Sequence, residues 1–309
     1  MMKVSIVVPV YNVSNYLRAF WSYVQKQTYR DFEVVFIDDG STDDSGSILE
    51  DIRANNNKVS VYHKANGGIS SARNMGIEMA KGEWVAFLDP DDRISPQFIE
   101  KLVLMTSDQV DMVECGYTVV DTQGEKLWTS KYEGNGVISS EKALRWIFHP
   151  QYYWGGYAWN KLYRLDVLKR NKVFFDTSLK NNEDGEMNVR YLCVTKKKAV
   201  YTTDALYFYT QGRPNSITSI SLKDMNKYHS EFLGVIKMCR TVKQARRSFL
   251  TVFLAERYAY IVYKRHYKKM KNLGNNDVLI SMGQEINEVV GKMAKMFCFL
   301  ESIIKLGKL

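Results

Sequence analysis

Cysteine and histidine are scarce in this 309-residue chain, four of each, and neither is arranged for chemistry. Cys115, Cys193, Cys239 and Cys298 form no CxxC pair, and His63, His149, His229 and His266 show no ligand spacing. That excludes a zinc-finger framework and a disulfide scaffold, and it fits a reducing compartment. Also missing is an apolar run of the roughly 18 residues that a membrane-spanning helix needs. The nearest stretch, Phe249 to Tyr263, is interrupted by Glu256 and Arg257. The chain begins without a basic leader and small-residue cleavage site, so no secretory signal is expected. Neither a Walker A nor a GxGxxG pattern occurs, which removes the simple P-loop and dinucleotide readings. No repeat and no low-complexity tract interrupts the chain. What is present is an ordinary globular composition, 45% apolar and 25% charged, enough for one large or two modest domains.

The net charge of +9 is unevenly placed. Residues 222–309 hold 17 Lys and Arg against 7 Asp and Glu, whereas residues 1–221 hold 26 against 27. The excess positive charge therefore belongs to the C-terminal part, which suits an anionic partner or a solvated basic face. No nucleic-acid-binding module is visible, and no nucleic-acid partner is expected.

Short apolar runs alternate with helical periodicity through the first half. Val4 to Val10, Phe32 to Asp39, Val59 to Tyr62 and Trp84 to Leu88 read as buried strands. Helices are expected after Ser14, from Gly40 to about Ile52, and over Ser70 to Ala80. This alternation predicts an α/β fold with a mostly parallel sheet flanked by helices. Two of the strands stop on acid. Trp84-Val-Ala-Phe-Leu ends at Asp89, Asp91 and Asp92, where an open α/β sheet binds its ligands. Carboxylates so close suit either a hard divalent cation bridging phosphate oxygens or a plain acidic turn. The glycine turns Asp39-Gly40-Ser41 and Asn66-Gly67-Gly68 let backbone approach a ligand at a helix start, and Arg73 offers a fixed fork of donors just beyond the second.

VSIVVPVYN, FIDDGSTDDS, NGGISSARNMG and FLDPDD, in this order and spacing, resemble glycosyltransferase family 2. The likeness continues less tightly through WNKLYR, NNEDGEMN and YFYTQGRPNSIT, so it covers about the first 220 residues. It implies a GT-A fold and an inverting, Mn2+- or Mg2+-dependent transfer of a hexose or N-acetylhexosamine from a UDP-sugar to a glycan hydroxyl. Bacterial capsule, exopolysaccharide or cell-wall polymer synthesis is the implied setting. By the same resemblance Pro9, Tyr11, Asn12 and Asp39 hold the uridine. Asn66, Gly67 and Arg73 lie at the diphosphate, Asp91 with Asp89 holds the metal, and Asp184 of the Glu183-Asp184 pair is the base. Asp92 is expected to turn away from Asp91, because neighbouring residues of an extended chain face opposite ways. Trp159, with Trp154 and Tyr157, is either a platform under a sugar ring or part of the core. One departure stands out. Many relatives carry Arg or His where this chain has Thr210, and Arg213 is the expected substitute. A polyprenyl-phosphate glycosyl synthase and an inactive nucleotide-sugar-binding scaffold are the alternative readings.

Two regions are expected, a catalytic domain over 1–221 and a basic helical region over 222–309. In the latter, Tyr228, Phe232, Val235, Cys239 and Val242 line one helix face, and Phe249 to Tyr263 reads as a helix buried all round. Met282, Ile286, Val289, Met293, Met296, Leu300 and Ile303 follow a heptad. That seam fits an internal bundle, a homo-oligomer or an amphipathic helix on a membrane. A cytoplasmic protein is expected, peripheral at the inner membrane face, with a lipid-linked glycan as one form of the acceptor.

Overall fold

Seven consecutive buried residues make β1 (Val4–Val10), a strand covered on both faces. The structure, a computed structural model, describes residues 3–130, 132, 134–149, 156–213, 225–271, 276–296 and 298. Trp154, the Pro214-to-Thr218 end of the last motif, the boundary at 221–222 and the heptad positions Leu300 and Ile303 lie outside these. After β1 come α1 (Ser14–Gln25), β2 (Phe32–Asp38), α2 (Ser45–Ala54), β3 (Val59–His63), α3 (Ile69–Met79) and β4 (Trp84–Phe87). Then follow β5 (Arg93–Ile94), α4 (Phe98–Leu104), β6 (Val110–Val120), β7 (Lys126–Thr129), β8 (Gly136–Ser139) and α5 (Ser140–Ile147). The chain continues through β9 (Lys161–Arg164), α6 (Leu165–Arg170), α7 (Glu183–Val194) and β10 (Lys198–Thr210) to α8 (Met225–Gln244), α9 (Phe249–Lys271) and α10 (Asn276–Val289).

Two compact units emerge. One comprises residues 1–139, 157–177 and 194–219, the other 140–156, 178–193 and 220–309. The first unit holds all ten strands in one sheet of order β3-β2-β1-β4-β9-β6-β10-β5, with β7 beside β6 and β8 beside β10. β1, β2, β3 and β4 pair in parallel, as do β6 and β10, and the short additions β5, β7, β8 and β9 run antiparallel. The order reverses between β1 and β4. Such a switch point opens a crevice at the carboxyl ends of the strands. One polar pair inside the sheet is matched: the Ser5 hydroxyl donates to Glu33 at 2.6 Å and accepts from the Gly82 N–H at 2.8 Å.

Local details differ modestly from the sequence expectation. Ser14 is the first residue of α1 rather than its cap. α2 starts at Ser45, because the Asp43 carboxylate accepts the Ser45 N–H at 2.9 Å and keeps the preceding turn out of the helix.

The second unit is helical. Tyr228, Phe232, Val235, Cys239 and Val242 of α8 are buried as their spacing predicts. α9 is not buried all round: Thr251, Ala255, Ala259, Val262 and His266 form its inner face, while Phe249 is 72% exposed. Small residues at spacings of three and four let the neighbouring helices approach that stripe. Met282, Ile286 and Val289 of α10 are buried, whereas Met293 and Met296 are exposed, so the described heptad positions divide between packing and surface. Arg240 of α8 reaches Glu285 of α10 at 2.6 Å, and Lys243 reaches Glu256 of α9 at 2.7 Å. Among the described residues no helix is long and apolar enough to cross a membrane.

Candidate active site

The switch point of the sheet gathers the acidic strand ends. Pro9 is buried in β1 opposite Ile37 of β2, and beyond it Tyr11 is 49% exposed. Asn12 adopts a left-handed backbone, φ 52°. Its side-chain oxygen accepts the Thr42 N–H at 2.8 Å, and its own N–H donates to the Ser41 hydroxyl at 3.1 Å. Asn12 thus braces the loop after β2 against the end of β1. Asp43 completes the brace by accepting the Ser14 N–H at 3.0 Å. Partial burial would raise its pKa, but the hydrogen bonds from Ser45 and Ser14 outweigh that and hold it at about 2.

Asp39 is buried and anchors the second glycine turn. Its carboxylate accepts the N–H groups of Gly67 at 3.0 Å and Gly68 at 2.7 Å, with the Lys64 ammonium on the same oxygen as Gly67. A carboxylate has about four acceptor positions, so most of its capacity is already engaged. Glycine is required opposite. A Cβ on Gly40, at φ +76°, would meet the Asn66 nitrogen at 2.9 Å. Asn66 and Gly67 themselves are exposed, at the mouth of the crevice.

Next to this turn the end of β4 carries a doubly paired acid and base set. Arg73 of α3 is 2% exposed, donates to Asp89 at 3.0 Å and lies over the Phe175 ring at 5.3 Å. Arg213 is also buried, and it forms an ion pair with Asp91 while its Nε donates to the Thr210 carbonyl at 3.1 Å. Burial pushes the Arg213 guanidinium below its ordinary value, with Asp89 opposing. Asp92 turns the other way, as expected. The Tyr207 hydroxyl donates to it at 2.7 Å and the Thr210 N–H at 2.8 Å. Burial, with Asp89 close by, pushes Asp92 well above the usual carboxylate range.

Asp89 and Asp91 are hard oxygen donors, and a pair of carboxylates completed by phosphate oxygens and water is a common Mg2+ arrangement. Among the described residues no group of three or more possible protein ligands converges. The donor set therefore fits a cation shared with a bound diphosphate, on condition that Arg213 yields its share of Asp91.

Trp159 is core rather than a free platform. Its ring stacks on Tyr157 at 4.8 Å and on Tyr207 at 4.4 Å, with Tyr117 edge-on at 4.9 Å. Enclosed this way, it leaves the open face to Tyr157, which is 43% exposed. Lys161 holds the backbone there, donating to the Tyr157 carbonyl at 2.6 Å beside the buried Glu114. Burial, opposed by Lys161, raises Glu114 to about 7.

Glu183 and Asp184 occupy the first turn of α7 in the helical unit, both half-buried. Gly185 follows because a Cβ there would meet the Asn182 side-chain oxygen at 2.5 Å. Sequence reasoning overlooked His63. It ends β3 in register with Asp38, donating Nδ1 to that carboxylate at 2.7 Å with Glu50 on the other ring nitrogen at 3.1 Å. A histidine at a strand end beside a strand that stops on acid was the available signal.

Residues 5–170 match the profile of glycosyl transferase family 2. An uncharacterized glycosyltransferase, EpsJ of Bacillus subtilis, is 31% identical over 230 residues, 73% of this chain and 66% of its own length. The poly(ribitol-phosphate) beta-glucosyltransferase of Bacillus spizizenii is 26% identical over 278 residues, 87% of this chain but 42% of its own length. The chain thus spans less than two thirds of either relative. Staphylococcus aureus TarS 1-349, solved with UDP-GlcNAc, superposes with a TM-score of 0.74 at 21% identity, covering 95% of this chain and 83% of that one. The fold is therefore the GT-A arrangement of a central sheet flanked by helices, with helices added after β10.

Proposed function

Because the chain belongs to glycosyl transferase family 2, we propose that it moves a hexose or N-acetylhexosamine from a UDP-sugar to a glycan hydroxyl with inversion, in the assembly of a capsule, exopolysaccharide or cell-wall polymer. The observation that carries this reading is the pairing of two buried arginines with two carboxylates at the end of β4, Arg73 on Asp89 and Arg213 on Asp91, next to the turn anchored by Asp39. A buried guanidinium with a fixed fork of donors suits a diphosphate. UDP-GlcNAc in TarS and the glucosyl transfer named for the B. spizizenii relative support the donor class.

In this reading Tyr11 stacks on the uracil and Asp39 lies beside its imide edge, while Arg73 and Arg213 grip the diphosphate. Mn2+ or Mg2+ held by Asp91 and Asp89 would neutralise charge on the departing diphosphate. Asp184, with Glu183 beside it, takes the proton of the acceptor hydroxyl as that oxygen bonds to the anomeric carbon. The bond from that carbon to phosphate oxygen breaks in the same step, and UDP leaves with the electron pair. No sugar-enzyme bond forms. The exposed cations Lys264, Arg265, Lys268, Lys269 and Lys271 at the end of α9 attract an anionic membrane surface, each worth about 1 kcal/mol when well placed.

UDP release from a panel of UDP-sugars with Mn2+, with and without EDTA, tests the reading. Silence for every donor alongside measurable UDP binding would favour a nucleotide-sugar-binding scaffold. Asp184→Asn should lower transfer by about a hundredfold or more while leaving UDP binding unchanged, since general-base removal typically costs that much. Turnover within a few fold of the parent would place the base elsewhere.

A further inference from the structure

We propose that a cleft at the edge of the sheet binds an anionic amphiphile, a phosphate monoester carried on a hydrocarbon chain. The cleft, about 580 Å³, lies between the C-terminal end of α1, β5, the β6–β7 hairpin and Phe208 of β10. That volume is within the roughly 300–1,000 Å³ typical of ligand pockets. None of the carboxylates and arginines described at the end of β4 lines it, so the inference does not rest on the transfer reading.

Charge identifies the head of the ligand. Lys26, Arg93 and Lys126 all line the cleft, and among the described residues none of them is ion-paired. Arg93 is held in place, donating to the Gly124 carbonyl at 3.3 Å with its guanidinium 5.9 Å from the centre of the Phe208 ring. Of the two acids in the hairpin turn, Glu125 is exposed and forms no ion pair with Lys26, Arg93 or Lys126, and Asp121 spends one oxygen on the turn's own N–H groups, Gln123 at 2.9 Å and Glu125 at 2.8 Å. Three like charges without ion-pair partners around one cavity attract an anion.

The walls identify the body. Ile94, Val120, Pro96 and Phe208 are apolar, and the uncharged side-chain polar groups of the lining are few. The Thr118 hydroxyl is shared with Thr129 at 3.1 Å and the Ser95 hydroxyl accepts the Gln97 N–H at 3.3 Å. Beyond the three cations and the Tyr23 hydroxyl the lining offers no uncommitted polar side chain, so a hydrocarbon chain lies along Ile94, Val120, Pro96 and Phe208 without losing hydrogen bonds, whereas the many polar groups of a sugar are not matched there.

Titration of the full chain with dodecyl phosphate below its micelle concentration, followed by calorimetry, tests this. Saturable binding is expected, with dodecanol and inorganic phosphate each weaker. The double reversal Lys26→Glu with Lys126→Glu, at two exposed positions where the fold is spared, should weaken dodecyl phosphate by about tenfold or more. Neutralising Lys268 and Lys269 on α9 should leave it unchanged. Three results would overturn the proposal: affinity indifferent to the double reversal, affinity lost with the α9 lysines instead, or inorganic phosphate binding as tightly as the amphiphile.

Discussion

Arg213 and a divalent cation want the same lone pairs on Asp91. With Arg213 replaced by Ala the carboxylate loses its buried partner, and stability should fall by roughly 3 kcal/mol or less, since Asp91 keeps some access to water. The same change frees Asp91 for metal. Mn2+ without nucleotide is therefore expected to raise the unfolding midpoint of Arg213→Ala more than that of the parent, while UDP binding weakens. Equal Mn2+ shifts in the two proteins would separate Asp91 from the metal site. Asp92 makes a contrasting case, because its two oxygens accept from Tyr207 and Thr210. Asp92→Asn puts an NH2 against one of those donors and should cost about 1–3 kcal/mol, read as a lower thermal midpoint. At this scale the sequence was legible where chemistry is local. Arg73, Asp89 and Asp91 stand in short motifs, and the outward turn of Asp92 follows from strand alternation. The pairing of Arg213 with Asp91 joins residues from distant parts of the chain, and no local pattern announces it. Trp159 stayed open between platform and core for a related reason, since a ring's burial depends on which other rings reach it from β6 and β10.

α3 carries Arg73 and leans on β1 through Gly76. A Cβ at Gly76 would overlap the Val7 side chain, so Gly76→Ala must lift the helix off the sheet. Overpacking of this kind costs about 1–3 kcal/mol. It should also displace Arg73 from Asp89 and weaken UDP binding, whereas Val7→Ala in the same chain restores room for the methyl group and should recover part of both losses. Thermal unfolding with UDP titration of the parent and the two variants checks this, and undiminished UDP affinity in Gly76→Ala would show that Arg73 is positioned independently of the helix. The element pattern explains why the first half of the fold reads so directly. β1, β2 and β4 are buried on both faces and appear as near-continuous apolar runs, interrupted inside only by the mutually bonded Ser5 and Glu33. β5 has two residues and β9 four, too short for periodicity, and β10 mixes buried with half-exposed positions because its neighbours change along its length. For α9, a stretch apolar on nearly every side suggested burial all round, but the small residues Ala255 and Ala259 choose the inner face.

The molecule as a whole titrates in opposing directions, and the signs can be assigned. Hydrogen bonds to Asp38 first, then Glu50, raise His63 above its ordinary 6.5. Its contribution is fully present below that value and is lost as pH rises through the folded-state pKa. Glu114, raised by burial to about 7 from 4.5, keeps its proton longer in the folded chain, so it too loses stability as pH climbs across that window. In the helical unit His229 works the other way. Burial lowers it, with Glu285 opposing, and stability rises as the unfolded imidazole gives up its proton. On the acid side, Asp38 and Asp43 are held low by hydrogen bonds that outweigh partial burial, and their stabilisation disappears as pH falls below the ordinary carboxylate range. Because a chain of two compact units need not unfold in one two-state step, the informative quantity is the difference between parent and variant at each pH rather than one midpoint. The advantage of the parent over His63→Gln should be largest at pH 5–6, on the acid side of the ordinary histidine value, and shrink by pH 8. Urea unfolding at unit intervals of pH reads it, and an advantage that grows toward pH 8 would mean that the Asp38 and Glu50 contacts do not hold the imidazolium in solution.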